Sequence, residues 1–281
     1  MKGERKMATI KTTSFAFGLA VAALSAAVVP SVAGVEDTDQ QRDARWQDLS
    51  KQIFDGKTPT TDDQAIKLDA PKRAEDAALV PITITLASPQ DVKALYLVID
   101  DNPSPVAAHF NFGPDMDPKE IKLRVRVNTY TDMHAVVETK DGKLLQTVKF
   151  VKAAGGCSAP MGVSDEEAMK GMGDMKLKLA GDVAANKPVD ATLMIRHPNF
   201  NGMQMNQSTR QYTPARYIQS IDVTYDKKKV FDLATDISLA SNPVINFDLL
   251  PSSARGSLQV AVKDSQNGAW TKSFGVPNVS N

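Results

Sequence analysis

Cys157 is the single cysteine of the chain, so thiol chemistry is the first chemistry to consider. It lies in the stretch VKAAGGCSAPMG, residues 151–162, directly after Gly155 and Gly156 and three residues before Pro160. The stretch has no hydrophobic periodicity, and glycine has high backbone freedom. We therefore expect an exposed thiol in a flexible segment rather than a small apolar side chain in the core.

The residues around this thiol do not predict a strong nucleophile. An unperturbed cysteine has a pKa near 8.5, so only a few per cent is thiolate at neutral pH. The nearest cation in the sequence is Lys152, and it lies five positions away. The pattern favours an attachment point that a partner activates, and we expect the folded protein to be alkylated about as fast as free cysteine.

Methionines offer a second chemistry near the thiol. Thioether and thiolate ligands suit Cu(I), so a copper-binding or redox accessory protein that uses Cys157, Met169 and Met172 is an alternative. Methionines at three-residue spacing are also typical of the apolar face of a short helix, which is the interpretation we favour. The six methionines concerned are Met161, Met169, Met172, Met175, Met203 and Met205.

No other pattern in the sequence indicates catalysis. The three histidines are scattered and are each expected to be structural, and the acidic clusters fall in predicted loops or at a helix start. The chain has no Walker loop, HExxH, CxxC or GxSxG pattern. We predict a non-catalytic protein without a cofactor. The histidines are His109, His134 and His197, and the clustered acidic residues are Asp62, Asp63, Asp100, Asp101, Asp165, Glu166 and Glu167.

The N-terminus has the pattern of a secretory signal peptide. Four basic residues precede the apolar run FAFGLAVAALSAAVV at 15–29, and Ser31 and Ala33 have the spacing of a cleavage site. Fifteen apolar residues are short for a membrane-spanning helix, which needs about 20, although a retained anchor is the alternative. We predict cleavage of residues 1–33 and export to the periplasm, without membrane insertion.

Removing that segment leaves a mildly acidic protein. Residues 1–33 contain four of the 33 Lys and Arg and one of the 33 Asp and Glu, so 29 basic and 32 acidic residues remain. This balance gives no reason to expect nucleic acid as a partner. A lone cysteine in an oxidising compartment indicates an intermolecular disulfide or a reactive thiol.

The elements that must position the thiol are predicted to be β-strands. ARWQDLSKQIF, residues 44–54, has a helical apolar face formed by Trp46, Leu49 and Ile53. Short alternating strands follow without intervening helices, which is typical of a β-sandwich. They begin near Val80, Val92, Pro105, Ile121, Met133 and Lys143.

A second group of strands follows the cysteine segment. Ser164 and Glu167 form a capping-box pattern that predicts one or two helical turns. The sequence thus predicts an all-β fold of two immunoglobulin-like β-sandwich domains in tandem, with a short N-terminal helix and a flexible Gly/Met-rich linker. The strands of the second group begin near Met175, Pro188, Tyr217, Lys229, Pro243, Gly256 and Ala269.

Several stretches resemble two families of sulfur oxidation proteins. The first half resembles SoxY, the carrier subunit of the periplasmic sulfur-oxidising system, at residues 71–84, 98–110, 123–127 and 151–157. The second half resembles SoxZ, its partner subunit, at residues 195–203, 213–231 and 240–249. The order is that of a SoxY–SoxZ fusion, and it is most similar to the SoxYZ-like carriers associated with quinoprotein dehydrogenases.

The resemblance implies a domain division. A signal peptide would occupy residues 1–33 and a SoxY-like sandwich with the N-terminal helix residues 34–152. The carrier-cysteine segment and linker would be residues 153–175, and a SoxZ-like sandwich would be residues 176–281. Because SoxY and SoxZ form a heterodimer, the two sandwiches are expected to pack against each other within one chain.

The resemblance also implies a role for the thiol. Cys157 would hold a sulfur intermediate covalently, as in thiosulfate oxidation, with Gly155 and Gly156 as a flexible hinge. The expected partners are periplasmic sulfur-processing or redox enzymes, including a quinoprotein (PQQ) dehydrogenase. The segment departs from the SoxY pattern because Ser158 and Ala159 replace two glycines and the chain continues. A module of immunoglobulin-like domains that only binds protein is the remaining alternative.

Overall fold

Residues 36–276 are described by the structure, a computed structural model, and β-strands are the main regular secondary structure among them. The predicted signal peptide, residues 1–33, lies outside this range and its processing stays a prediction. Within the described range, no helix has the length and apolar character needed to cross a membrane. Residues 37–276 belong to one compact unit.

The described residues of the first half contribute eight strands, some of which alternate strictly between buried and less buried residues. In β3, for example, Val80, Ile82, Ile84 and Leu86 all point into the interior, as expected of a strand with one face on the core. The strands are β1 (Thr60–Thr61), β2 (Ile66–Asp69), β3 (Val80–Leu86), β4 (Val92–Ile99), β5 (Val106–Phe112), β6 (Met116–Val125), β7 (Thr131–Thr139) and β8 (Leu144–Val151).

The described residues of the second half contribute seven strands, most of which alternate buried and less buried residues. Asp226 and Lys227 have positive φ angles of 46° and 69° and form the two-residue turn of one hairpin, the geometry that suits the twist of paired strands. The strands are β9 (Met175–Ala180), β10 (Val189–Ile195), β11 (Ile218–Tyr225), β12 (Lys228–Thr235), β13 (Val244–Leu249), β14 (Gly256–Asp264) and β15 (Ala269–Val276).

Two sheets run through both halves of the chain. The nine-stranded sheet has the order β1-β8-β7-β4-β5-β12-β11-β14-β15, and the six-stranded sheet has the order β2-β3-β6-β13-β10-β9. Antiparallel pairing of β5 with β12 and of β6 with β13 joins the halves. The predicted all-β class is therefore confirmed, and the two halves meet edge to edge in both sheets.

The N-terminal helix α1 spans Asp39–Ile53 and includes most of the predicted stretch. It begins five residues earlier than predicted because Thr38 and Gln41 form a reciprocal capping box. The indole of Trp46 stacks on the ring of His134 with centroids 3.6 Å apart. This contact places α1 on the outer face of β7, opposite the core between the sheets.

Two short strands escaped the sequence prediction, and one short helix was predicted correctly. Strands β1 and β2 are two and four residues long and flank the turn-forming Asp62, so they carry too little periodicity to detect. Helix α2 (Asp165–Met169) begins after Ser164, whose hydroxyl accepts from the Glu167 N–H at 3.2 Å. The Ser164 half of the predicted capping box is therefore confirmed, whereas the Glu167 carboxylate pairs with Lys170 instead of the Ser164 N–H.

Candidate functional site: the buried cysteine segment

The cysteine segment leaves the end of β8 and runs antiparallel to the residues that follow β6. The Gly155 N–H donates to the Asn128 carbonyl at 2.7 Å, and the Gly156 N–H donates to the Val127 carbonyl at 3.0 Å. These two bonds hold the segment against residues 127–128. The Ser158 N–H donates to the Gly155 carbonyl at 3.1 Å, so the chain turns at Gly156 and Cys157.

Gly156 is required by close packing. A Cβ at this position would lie 2.0 Å from the carbonyl oxygen of Ala77 and 2.6 Å from that of Val127, distances that no side chain can occupy. Gly155 has φ of +76°, a conformation that glycine adopts without strain. Both glycines therefore serve a docked backbone in this structure, whereas their role as a hinge stays a prediction.

The expectation of an exposed thiol is wrong. Cys157 has 0% exposure, so its side chain lies in the interior. The reason is that the glycines let the segment approach neighbouring backbone closely enough to turn the thiol inward. Burial raises the pKa of the Cys157 thiol, and the positive charge of Arg126 opposes that rise in part.

The second half of the chain holds the segment from the other side. The Asn201 side-chain amide donates to the Cys157 carbonyl at 2.6 Å, and the Gln204 amide donates to the Ala159 carbonyl at 3.1 Å. Both amides belong to buried residues. Backbone groups of the first half and side chains of the second half thus hold the cysteine segment together.

Arg126 is the unusual residue of this site. It is 1% exposed, its Nη2 donates to the Pro198 carbonyl at a long 3.4 Å, and its Nε has no hydrogen-bond partner among the described residues. Burial lowers the pKa of Arg126 to about 10, which leaves the guanidinium charged at neutral pH. A buried charge without close partners is costly unless the site uses it.

Asn102 holds the backbone of residues 126–128 in place. Its side-chain amide donates to the Arg126 carbonyl at 2.7 Å and to the Ser238 hydroxyl at 2.9 Å. Its carbonyl oxygen accepts from the Asn128 N–H at 2.9 Å. The backbone on which Arg126 and the glycine segment rest is therefore fixed by contacts from both halves of the chain.

Sequence reasoning identified the thiol but missed the residues that hold it. Arg124 and Arg126 alternate with apolar residues in LRVRV, and nothing in that pattern distinguishes the exposed arginine from the buried one. Asn201 and Gln204 lie within or beside the SoxZ-like stretch 195–203, which is the one signal that could have drawn attention to them. That Asn201 and Gln204 contact the cysteine segment follows only from the pairing of the two halves.

The histidines do not meet at one place. His197 is fully buried and lies 3.5 Å from a carboxylate oxygen of Asp264, and its Nδ1 accepts from the Asn199 N–H at 3.1 Å. Burial lowers the pKa of His197. His134 lies under α1 instead, 3.3 Å from Asp100.

The methionines of the copper alternative differ in their surroundings. Met169 is exposed at the end of α2, and Met175 is buried in β9. Met161 and Met205 line a surface cavity of about 300 Å³. Residues 36–276 contain no group of three or more His, Cys, Asp or Glu side chains able to hold a metal. That finding does not concern methionine, so the Cys157, Met169 and Met172 copper site stays a prediction.

Comparison with family models assigns both halves of the chain. The model of the sulfur oxidation protein SoxY matches residues 50–157, and that of the sulphur oxidation protein SoxZ matches residues 177–275. The SoxY match ends at Cys157, the thiol of the segment described above. Among proteins with curated descriptions, none matches the chain significantly.

Solved structures add a likeness for the first half. The sulfur carrier protein SoxY from Chlorobium limicola f thiosulfatophilum is 29% identical, with 40% of this chain and 94% of that chain covered at a TM-score of 0.35. A β-glycosidase from Bacteroides vulgatus is 8% identical over 78% of this chain and 25% of its own, at a TM-score of 0.24. These TM-scores are too low to support an argument about this chain.

The two family matches lie in tandem, cover most of the chain and leave between them only the segment that contains helix α2. Their boundary coincides with the change from the first group of strands to the second. The chain belongs to the SoxY and SoxZ families of sulfur oxidation proteins, as a fusion of one SoxY domain with one SoxZ domain.

Proposed function

We propose that this protein is a non-catalytic carrier that holds a sulfur-containing intermediate covalently on Cys157 and presents it to partner enzymes. The tandem SoxY and SoxZ domains support the general role of a sulfur-oxidation carrier. The attachment of cargo to Cys157 is the finer step, and it is the one that an experiment must test.

The observation that carries the proposal is the position of Cys157. It is the last residue of the SoxY match, and it is held between backbone of the SoxY domain and side chains of the SoxZ domain. A thiol that served only to fill the core would not need a segment with two glycines, one of them packed against carbonyl oxygens. The arrangement suits a segment that docks and is released.

Release from the docked state has a definite structural requirement. Four hydrogen bonds must open, two from the backbone of Gly155 and Gly156 and two from the amides of Asn201 and Gln204. The buried thiol is protonated at neutral pH because burial raises its pKa. Reaction therefore requires a partner that draws the segment out and accepts the proton, which keeps an unattended thiol from reacting.

The compartment and the partners are part of the proposal. The basic and apolar N-terminus supports export to the periplasm. Enzymes of sulfur oxidation are the partners that SoxY and SoxZ domains imply, thiosulfate is the proposed source of the sulfur, and the resemblance to the fused carriers adds a quinoprotein dehydrogenase. No cofactor is proposed other than the covalently bound sulfur group on Cys157.

Intact mass measurement of the protein purified from its native host without reductant tests the attachment. We expect a fraction of molecules to carry a persulfide or thiosulfonate that dithiothreitol removes, and peptide mapping to place it on Cys157. The Cys157→Ser variant, purified in the same way, is the control and should carry none. An unmodified thiol under conditions where the host oxidises sulfur compounds would contradict the proposal.

A further inference from the structure

Arg126 has a property that the fold does not explain. Its side chain is 1% exposed, its Nε lacks a partner among the described residues, and its contact with the Pro198 carbonyl is 3.4 Å long. A guanidinium has five N–H donors and stays charged at neutral pH. Burying such a group with little compensation lowers stability unless another anion or acceptor reaches it.

The Cys157 side chain lies near Arg126. The positive charge of Arg126 acts on the Cys157 thiol, and the two residues are 1% and 0% exposed. Both residues also contact the loop after β10, Arg126 through Pro198 and Cys157 through Asn201. The thiol and the guanidinium thus share one interior site.

We propose that Arg126 is the anion-binding residue of this site, whose guanidinium binds the negatively charged end of a sulfur group attached to the Sγ of Cys157. A thiosulfonate presents three oxygens and a persulfide anion presents a terminal sulfur, and both are acceptors without a donor. The inference rests on the proposed function, and it adds the residue that binds the cargo while the segment is docked.

Electrostatics favours an anionic group on Cys157 beside the Arg126 guanidinium over the unmodified, neutral thiol. A charge-assisted hydrogen bond is shorter and about twice as strong as a neutral one. Asp76 is the other residue whose negative charge acts on Arg126, and it is exposed, so solvent screens it. A buried anion on Cys157 would meet the guanidinium with far less screening. Docking of the loaded segment is therefore stabilised by charge, whereas a neutral adduct gains nothing there.

A series of disulfide adducts that differ only in terminal charge tests the proposal in the wild-type protein. The thiol reacts with a methanethiosulfonate reagent: the Sγ–S bond forms, the S–S bond of the reagent breaks, and methanesulfinate leaves with the electron pair while the thiol proton passes to buffer. The thiol sulfur is oxidised and the sulfonyl sulfur is reduced. Reagents with ethylsulfonate, hydroxyethyl and ethylammonium groups give anionic, neutral and cationic adducts of similar length.

We expect the melting temperatures of the three adducts to follow the order anionic, neutral, cationic, with steps of about 3–8 °C. Loading is carried out in denaturant, followed by refolding, and each adduct is confirmed by intact mass. Equal melting temperatures, or the reverse order, would overturn the proposal. Because this series needs no substitution, a variant that failed to fold would not leave the question open.

Substitution then assigns the effect to one arginine. Arg126→Met should abolish the dependence of melting temperature on adduct charge. Arg126→Lys should retain it with smaller steps, because lysine keeps the charge but loses the planar arrangement of guanidinium donors. Arg124→Met is the matched control, since Arg124 is an exposed arginine two residues away, and it should leave the order unchanged. Persistence of the order in Arg126→Met would show that another cation is responsible and the proposal is wrong.

This experiment separates the inference from the function on which it rests. If protein from the host carries no sulfur on Cys157, the carrier proposal fails whatever the adduct series shows. If the host protein is loaded but the adducts show no charge order, the carrier proposal stands and the role of Arg126 fails.

Discussion

At the scale of single residues, the burial of Cys157 and that of Arg126 are best understood together. The thiol is buried without a strong activating neighbour, and the arginine is buried with few acceptors. A buried cysteine is ordinary in a core, but a buried guanidinium with few acceptors is not, because an apolar side chain of similar volume would serve stability better. Together they form an interior site in which a neutral thiol leaves the Arg126 guanidinium without an anionic partner.

The protonation of Cys157 should make stability depend on pH. Burial raises the pKa of the folded thiol above its usual range near 8.5–9, so the folded state binds this proton more tightly than the unfolded state does. The corresponding stability is complete below the unfolded pKa and is lost as pH rises through the folded pKa. Cys157→Ala removes this titration and serves as the reference.

Chemical denaturation of both proteins between pH 7 and 10.5 measures the effect. The free energy of unfolding of the wild type should fall relative to Cys157→Ala above about pH 8.5, by at most about 1.4 kcal/mol per pH unit. Above about pH 9.5 the two profiles also differ through Arg126, because its pKa is about 10 and the charge of Cys157 acts on it, so the comparison rests on pH 7 to 9.5. Parallel pH profiles would mean that the thiol is not buried in solution.

At the scale of elements, the cysteine segment shows how far local sequence can predict structure. The strands β3 to β15 and the N-cap of α2 followed from alternation and capping residues, which are local signals. The docking of the segment did not, because Gly155 and Gly156 are equally compatible with a free hinge and with close backbone packing. The groups that decide between the two, such as the carbonyl of Ala77, lie far away in the sequence.

Substitution of Gly156 tests whether the segment is docked in solution. In Gly156→Ala the new methyl group would fall on the carbonyl oxygens of Ala77 and Val127, so the segment must shift or detach, at a cost of about 1–3 kcal/mol. Alkylation of Cys157 proceeds through opening of the segment. We expect the variant to react with iodoacetamide roughly 5–150 times faster than the wild type, since 1.4 kcal/mol is tenfold.

Gly162→Ala is the matched control. Gly162 belongs to the same connection between domains, but a Cβ there meets no atom within 4 Å, and its φ of +74° adds only local strain. Its alkylation rate should stay within about threefold of the wild type, because strain of that kind acts on the loop and not on the docked glycine. If the wild type, Gly156→Ala and Gly162→Ala all reacted at about the rate of free cysteine, the thiol would be exposed in solution, as the sequence predicted.

At the scale of the whole molecule, the two domains share their sheets. Sequence patterns identified two groups of strands and their order, and the family models assign them to SoxY and SoxZ. They do not reveal that β5 pairs with β12 and β6 with β13, because edge pairing depends on backbone groups that carry no residue-specific signal. The site at Cys157 could not be predicted from the sequence for the same reason, since Asn201 and Gln204 reach it only through that pairing.

Cutting the connection between the domains tests the shared sheets. A protease site inserted between Gly162 and Val163 lies in an exposed part of the connection, outside both sheets. After cleavage we expect the two fragments to elute together from a sizing column at the position of the intact protein. The reason is that two strand pairs and the apolar core between the sheets join the halves, whereas the covalent link only raises their effective concentration.

The cleaved protein in denaturant provides the elution positions of separate fragments. If the cleaved protein eluted as separate fragments in native buffer at micromolar concentration, the continuous sheets would be wrong for the protein in solution. The hydrogen bonds from Asn201 and Gln204 to the cysteine segment would then depend on the covalent connection between the domains alone.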